Sequence, residues 1–124
     1  MSYNNKIIDL FRNPKHAGNL EDANASGEVG NMKCGDVMKV MIKVKGNVIE
    51  KVRFETFGCV AAMASSEALC ELVEGKTLEE AQSLTNQDIV DYLGDMPPVK
   101  IHCSILGANA LKAAIKDYHE KHKE

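Results

Sequence analysis

Val37-Met38-Lys39-Val40-Met41-Ile42-Lys43-Val44-Lys45-Gly46-Asn47-Val48-Ile49-Glu50-Lys51-Val52-Arg53-Phe54-Glu55-Thr56 decides the fold. Met38, Val40, Ile42 and Val44 alternate with Lys39 and Lys43, and Val48, Val52 and Phe54 continue the period-two pattern beyond Lys45-Gly46-Asn47. Two half-buried strands joined by a turn are the expected result. A three-residue loop at 45–47 sets Val44 opposite Val48, Val40 opposite Val52 and Met38 opposite Phe54. A two-residue loop sets Val40 opposite Arg53 and Ile42 opposite Lys51, mixing the two faces. A one-residue slip reverses every side chain, so the three-residue loop is the expected register. Extended outward, it brings Cys34 opposite Gly58, beside Cys59.

Beyond residue 59 the hydrophobic period changes from two to 3.6. Val60 to Glu74 reads as a helix stopped by Gly75. Thr77-Leu78-Glu79-Glu80 and Thr85-Asn86-Gln87-Asp88 both have the capping-box pattern, so two short helices should follow, the second ended by Gly94. Met96-Pro97-Pro98-Val99-Lys100 is expected to be extended. Ser104 is expected to cap a last helix with an apolar stripe of Ala108, Leu111, Ile115 and Tyr118. On the other side of the hairpin, residues 13–31 read as loop or weak strand. Residues 4–12 read as a short helix that Pro14 ends. The order helix, strands, helices predicts an α+β domain over residues 1–124. In it, a small antiparallel sheet of about three strands carries helices on one face.

Bulk properties narrow the function. The net charge of −3, from 15 basic and 18 acidic residues, gives no field for nucleic acid. No apolar run reaches the roughly 18 residues of a membrane span. Met1 to Lys6 lacks the apolar segment of a secretory signal, so a cytoplasmic location is expected. Four cysteines in a chain of this kind point to metal or redox chemistry rather than to disulfides.

Three of those thiols stand at element junctions, in Lys33-Cys34-Gly35-Asp36, Phe57-Gly58-Cys59-Val60 and Ile101-His102-Cys103-Ser104. Cys59 and Cys103 each immediately precede an expected helix, whose dipole and free amides favour thiolate over thiol. Asp36 adds a carboxylate two residues from Cys34, and His102 adds an imidazole beside Cys103. This mixture of donors suits Zn²⁺ or iron. Five candidates exceed a closed tetrahedral site, and no paired C-x₂-C knuckle is present, so ligand exchange is favoured over a purely structural zinc. A zinc hydrolase or deaminase would need H-x-E or H-E-x-x-H, which the chain lacks. Cys70, inside the 60–74 helix, reads as a small buried hydrophobe. His16, His119 and His122 read as surface residues.

These residues resemble the IscU-type iron–sulfur scaffold family, which also forms the N-terminal domain of NifU. The resemblance runs through Tyr3, Asn13-Pro14-Lys15-His16-Ala17-Gly18, Cys34-Gly35-Asp36, Thr56-Phe57-Gly58-Cys59, Ala64-Ser65-Ser66, Pro97-Pro98-Val99-Lys100 and His102-Cys103-Ser104. The three cysteines are separated by 24 and 43 residues.

The resemblance implies a scaffold rather than a turnover enzyme. A cysteine desulfurase delivers persulfide sulfur to Cys103, and a ferredoxin-like donor supplies electrons. Iron and a labile [2Fe–2S] cluster are held among Cys34, Asp36, Cys59, His102 and Cys103, and the cluster passes to apo iron–sulfur proteins. The resting form can carry zinc, and the scaffold is a monomer or homodimer. Pro97, Pro98, Val99 and Lys100 form a partner-binding segment for an Hsp70-type chaperone. Val60 stands where the family often has Gly, and Met96 where it usually has Leu. The alternative is a zinc-dependent sulfur-transfer relative of the SufU kind. Its longer insertion between the second and third cysteines is missing here.

Overall fold

A computed structural model describes residues 4–31, 36–58, 60–94 and 101–121, without the side chains of residues 31, 36 and 101–104. Its elements run α1 (Asn5–Arg12), β1 (Ala25–Asn31), β2 (Asp36–Lys45), β3 (Val48–Phe57), α2 (Val60–Val73), α3 (Leu78–Gln82), α4 (Asn86–Leu93) and α5 (Ile101–Lys121). The strands form one antiparallel sheet in the order β1-β2-β3. Met38, Val40, Ile42, Val52 and Phe54 face the helices and are buried with Leu69, Ile89, Leu111 and Ile115. The α+β expectation is met.

The hairpin register differs from the expected one by two residues. Gly46 and Asn47 have φ of 58° and 72°, the left-handed pair of a two-residue turn, and Lys45 pairs with Val48. Between the Val44↔Ile49 and Lys43↔Lys51 pairs, Glu50 is an extra residue, a β-bulge. Beyond it Ile42 pairs with Val52, Val40 with Phe54 and Met38 with Thr56. The tight turn alone would have mixed the faces, and the bulge restores them. Met38, Val40, Ile42, Val44, Val52 and Phe54 face inward as expected, but before the bulge Ile49 is buried in place of Val48, and the cross-strand partners differ.

Residues 13–24 wrap the sheet. Phe54 N–H donates to His16 O at 2.9 Å and Gly18 N–H to Phe54 O at 2.8 Å, so the segment bridges β3. By Asn24 the chain has reached the other side, where the Asn24 side chain brackets Val44 through its N–H and C=O, both at 2.9 Å. The crossing passes over the face away from the helices. There Asp22 meets Lys43 at 3.0 Å and Lys51 at 3.5 Å, and Met41 lies buried.

α2 is the central helix, buried on nearly every side from Ala61 to Cys70. Burial pushes the Cys70 thiol well above its ordinary range, which leaves it an inert core residue as expected. Thr77 and Thr85 close both expected capping boxes, and Gly94 ends α4 at φ 91°. His119 is exposed as expected, while the 96–100 segment and His122 lie outside the described residues.

Candidate iron–sulfur site

Three junctions meet at one end of the sheet. Asp36, the first residue of β2, pairs with Asn31, the last of β1. Its neighbour Val37 pairs with Phe57, the last residue of β3. Cys34 stands two residues before Asp36 in sequence, and Cys59 one residue before the start of α2 at Val60; both cysteines lie outside the described residues. The end of β3 is tied to the start of α2. Ser66 O–H donates to Ala62 O at 2.9 Å, which leaves Ser66 Oγ to accept from the Thr56 hydroxyl at 2.7 Å.

α5 brings the third junction. Ser26 N–H donates to Asp117 at 3.0 Å. A methyl group on Gly27 would lie 2.4 Å from Ala114 N and 2.5 Å from Ala110 O, so glycine is what allows β1 and α5 to touch. Nearer the helix start, a methyl on Gly107 would lie 3.6 Å from Met38 Sδ and 3.7 Å from Leu69 Cδ2. From Asp117 back to Gly107 the contacts thus move along the sheet toward its Asn31, Asp36 and Phe57 end. One further turn, about 5.4 Å, carries the helix to His102 and Cys103. Phe57 (75% exposed) and Ile105 are the large apolar side chains left in water near this end.

The helix start differs from the sequence expectation. α5 begins at Ile101, so His102, Cys103 and Ser104 lie within its first turn, and Ser104 is not its cap. The first turn is where backbone amides have no partner inside the helix and the dipole is positive, so the environment favouring a thiolate at Cys103 is retained. The expected donors, thiolates with one carboxylate and one imidazole, are of the kind that suits iron and sulfide.

The sequence profile of the NifU-like N-terminal domain matches residues 2–124. The chain belongs to this family. Among curated members, an IscU iron–sulfur cluster assembly scaffold protein of Archaeoglobus fulgidus is 49% identical over 119 residues, covering 96% of this chain and 78% of the relative. The IscU scaffold protein of Escherichia coli is 51% identical over 125 residues, covering 98% and 97%. Among solved structures, a proposed scaffold protein for the SUF system from Fervidobacterium islandicum superposes with a TM-score of 0.75. That match has 25% identity and covers 91% of this chain and 96% of the other.

This NifU-type chain also carries a polar cluster that sequence reasoning missed. His16 was expected at the surface, yet it is only 8% exposed, and Glu67 beside it is fully buried. His16 N–H donates to Glu67 Oε1 at 2.8 Å, and His16 Nδ1 lies 2.5 Å from Glu67 Oε2. His16 Nε2 lies 3.2 Å from Glu74 Oε1. Tyr92 O–H donates to Glu71 Oε1 at 2.5 Å. Burial, then a hydrogen bond with Glu71, raises Glu67 despite His16. Burial alone would raise Glu71, but the Tyr92 hydroxyl, the Glu67 carboxyl and the charges of His16 and Lys15 outweigh it and lower it. Glu67, Glu71 and Glu74 recur at spacings of four and three, one face of α2. That spacing was the available signal. The pairing with His16, 51 residues away, was not readable from any local pattern.

Proposed function

We propose that this chain is a scaffold on which iron–sulfur clusters are assembled and from which they pass to apo-proteins. What supports the reading is a chain about half identical to IscU scaffolds along its length, in which the ends of β1 and β3 and the start of β2 lie together and α5 runs toward them. The sulfur-transfer alternative is not better supported, since the curated relatives about half identical to this chain are named as scaffold proteins.

The cargo is a [2Fe–2S] cluster held among Cys34, Asp36, Cys59, His102 and Cys103. Cys103, in the first turn of α5, receives sulfur. Its thiolate attacks the outer sulfur of a persulfide on a cysteine desulfurase. The new S–S bond forms on Cys103 as the old one breaks, and the desulfurase thiolate leaves. Two electrons from a ferredoxin-like donor then release sulfide. The carboxylate of Asp36 matches iron in a sulfide cluster less well than thiolate does, so it keeps the cluster exchangeable. Zn²⁺ competes for the same donors, above Fe²⁺ in affinity, and is the resting ion when iron is withheld. The Pro97, Pro98, Val99 and Lys100 segment engages a partner of the Hsp70 type.

Persulfide trapping tests the sulfur step. The chain is incubated with a cysteine desulfurase and cysteine, without iron, then alkylated and mapped by mass spectrometry. One additional sulfur on Cys103, lost in Cys103→Ser, is expected. Additional sulfur on Cys34 or Cys59 but not on Cys103 would overturn the assignment.

A further inference from the structure

We propose that His16, Glu67 and Glu71 form a second metal site, which takes a divalent transition ion of the Zn²⁺ or Fe²⁺ kind through one imidazole nitrogen and two carboxylates. It is separate from the thiol-bearing sheet end and does not depend on the cluster-assembly reading. Each of the three residues offers a donor atom, and these atoms lie within 4.8 Å of one another. An imidazole with two carboxylates suits Zn²⁺, Fe²⁺ or Mn²⁺, while a site for Ca²⁺ or Mg²⁺ would be all oxygen.

Three features separate this cluster from a chance meeting of polar side chains. The first is placement. Glu67 and Glu71 are one helical turn apart on α2, the most buried helix, and His16 comes from a segment pinned to β3 on both sides of the bridge. Carboxylates and an imidazole from facing elements are how metal sites are built inside helical layers.

The second is support for each donor. His16 Nδ1 points at the carboxylates while Nε2 faces Glu74 Oε1, the carboxylate–histidine arrangement that orients metal-bound imidazoles. Glu67 Oε1 accepts the His16 amide and so leaves Oε2 turned to the imidazole. Glu71 is held by the Tyr92 hydroxyl, whose ring is in turn covered by Lys6 at 3.7 Å. Arg53, the nearby cation, lies 3.8 Å from Glu74 and so pairs with the supporting carboxylate rather than with a ligand.

The third is access and fit. Glu71 and Glu74 reach the surface beside the buried pair. Two donors each about 2.0 Å from Zn²⁺ in a tetrahedron lie roughly 3.3 Å apart. The 2.5 Å His16–Glu67 contact therefore opens by less than 1 Å on binding, within side-chain rotation. The entering ion displaces the protons that now lie in the His16–Glu67 and Glu67–Glu71 hydrogen bonds.

The test uses the full chain with Cys34→Ser, Cys59→Ser and Cys103→Ser, which silences the thiol end. Zn²⁺ is titrated by calorimetry and Co²⁺ by visible absorption. One Zn²⁺ per chain is expected, with a Co²⁺ spectrum free of sulfur-to-metal charge transfer. Glu67→Gln and Glu71→Gln should each weaken binding at least about tenfold, and Glu74→Gln about tenfold through His16. Circular dichroism checks each variant. If Glu67→Gln does not fold, Glu71→Gln, whose side chain reaches water, decides. Failure of the triple-serine chain to bind Zn²⁺ would overturn the proposal. So would binding that Glu71→Gln leaves unchanged.

Discussion

The sheet end proposed to hold the cluster and the α2 face where Glu67 and Glu71 meet His16 pose opposite problems. At the sheet end, the proposed donors belong to three junctions, where strands stop and helices start. Junction residues can reach a cargo and release it. On the α2 face, His16 and Glu67 sit within the core and Glu71 at its margin, and hydrogen bonds hold them in place. Groups placed that way are costly to disturb, because each lost partner leaves a buried charge. On the proposed reading, one small fold separates exchange from retention by placing one set of ligands at element ends and another on an element's buried face.

The sharpest way to break this contrast is His16→Ala. It leaves Glu67 buried without its imidazole partner, while the amide of residue 16 still donates to Oε1, and should cost about 3 kcal/mol of stability by denaturant unfolding. A change below about 0.5 kcal/mol would mean that the cluster is ornamental. Next is Gly27→Ala, which forces α5 off β1 where Ala114 N and Ala110 O would meet the new methyl at 2.4 and 2.5 Å. A loss of about 2 kcal/mol is expected, together with slower cluster assembly, since α5 aims its first turn at the sheet end.

Asp36→Ala acts on exchange rather than on the fold. It should keep cluster longer and transfer it several-fold more slowly to an apo-ferredoxin, with the melting temperature little changed. Faster loss of cluster would reverse the role given to the carboxylate. The smallest effect is spectroscopic. The hydrogen bond to Glu71, then burial, pushes the Tyr92 hydroxyl from 10.0 up to about 12. Between those values the folded chain keeps a proton that the unfolded chain loses, so this residue's contribution to stability fades as pH rises through that window. Ultraviolet titration should show Tyr92 ionising late, and Glu71→Gln should move it back toward 10.0.

The two regions also differ in how far they could be read from the chain. Strand alternation, the switch to helical period after Cys59 and the capping boxes at Thr77 and Thr85 are all local, and the elements followed from them. The hairpin register did not, because a tight Gly46-Asn47 turn and a bulge at Glu50 compensate each other, and only their sum preserves the face pattern. α5 starts four residues before the expected Ile105, since Ser104 is a good cap by type but stands inside the first turn. His16 sits in a polar stretch and gave no sign of burial. Its partner lies on α2, brought close by the Phe54 bridge, a long-range contact with no local signature.

The central claim is that the thiol-bearing end assembles and releases a cluster, and anaerobic reconstitution tests it most directly. The chain is supplied with ferrous iron, cysteine and a cysteine desulfurase, and its visible spectrum, iron and sulfide are measured before and after addition of an apo-ferredoxin. Equal iron and sulfide, a [2Fe–2S] spectrum, and its transfer to the ferredoxin are the predicted result. Tightly held zinc with no cluster, while persulfide still passes through Cys103, would contradict the account and identify a sulfur-transfer protein instead.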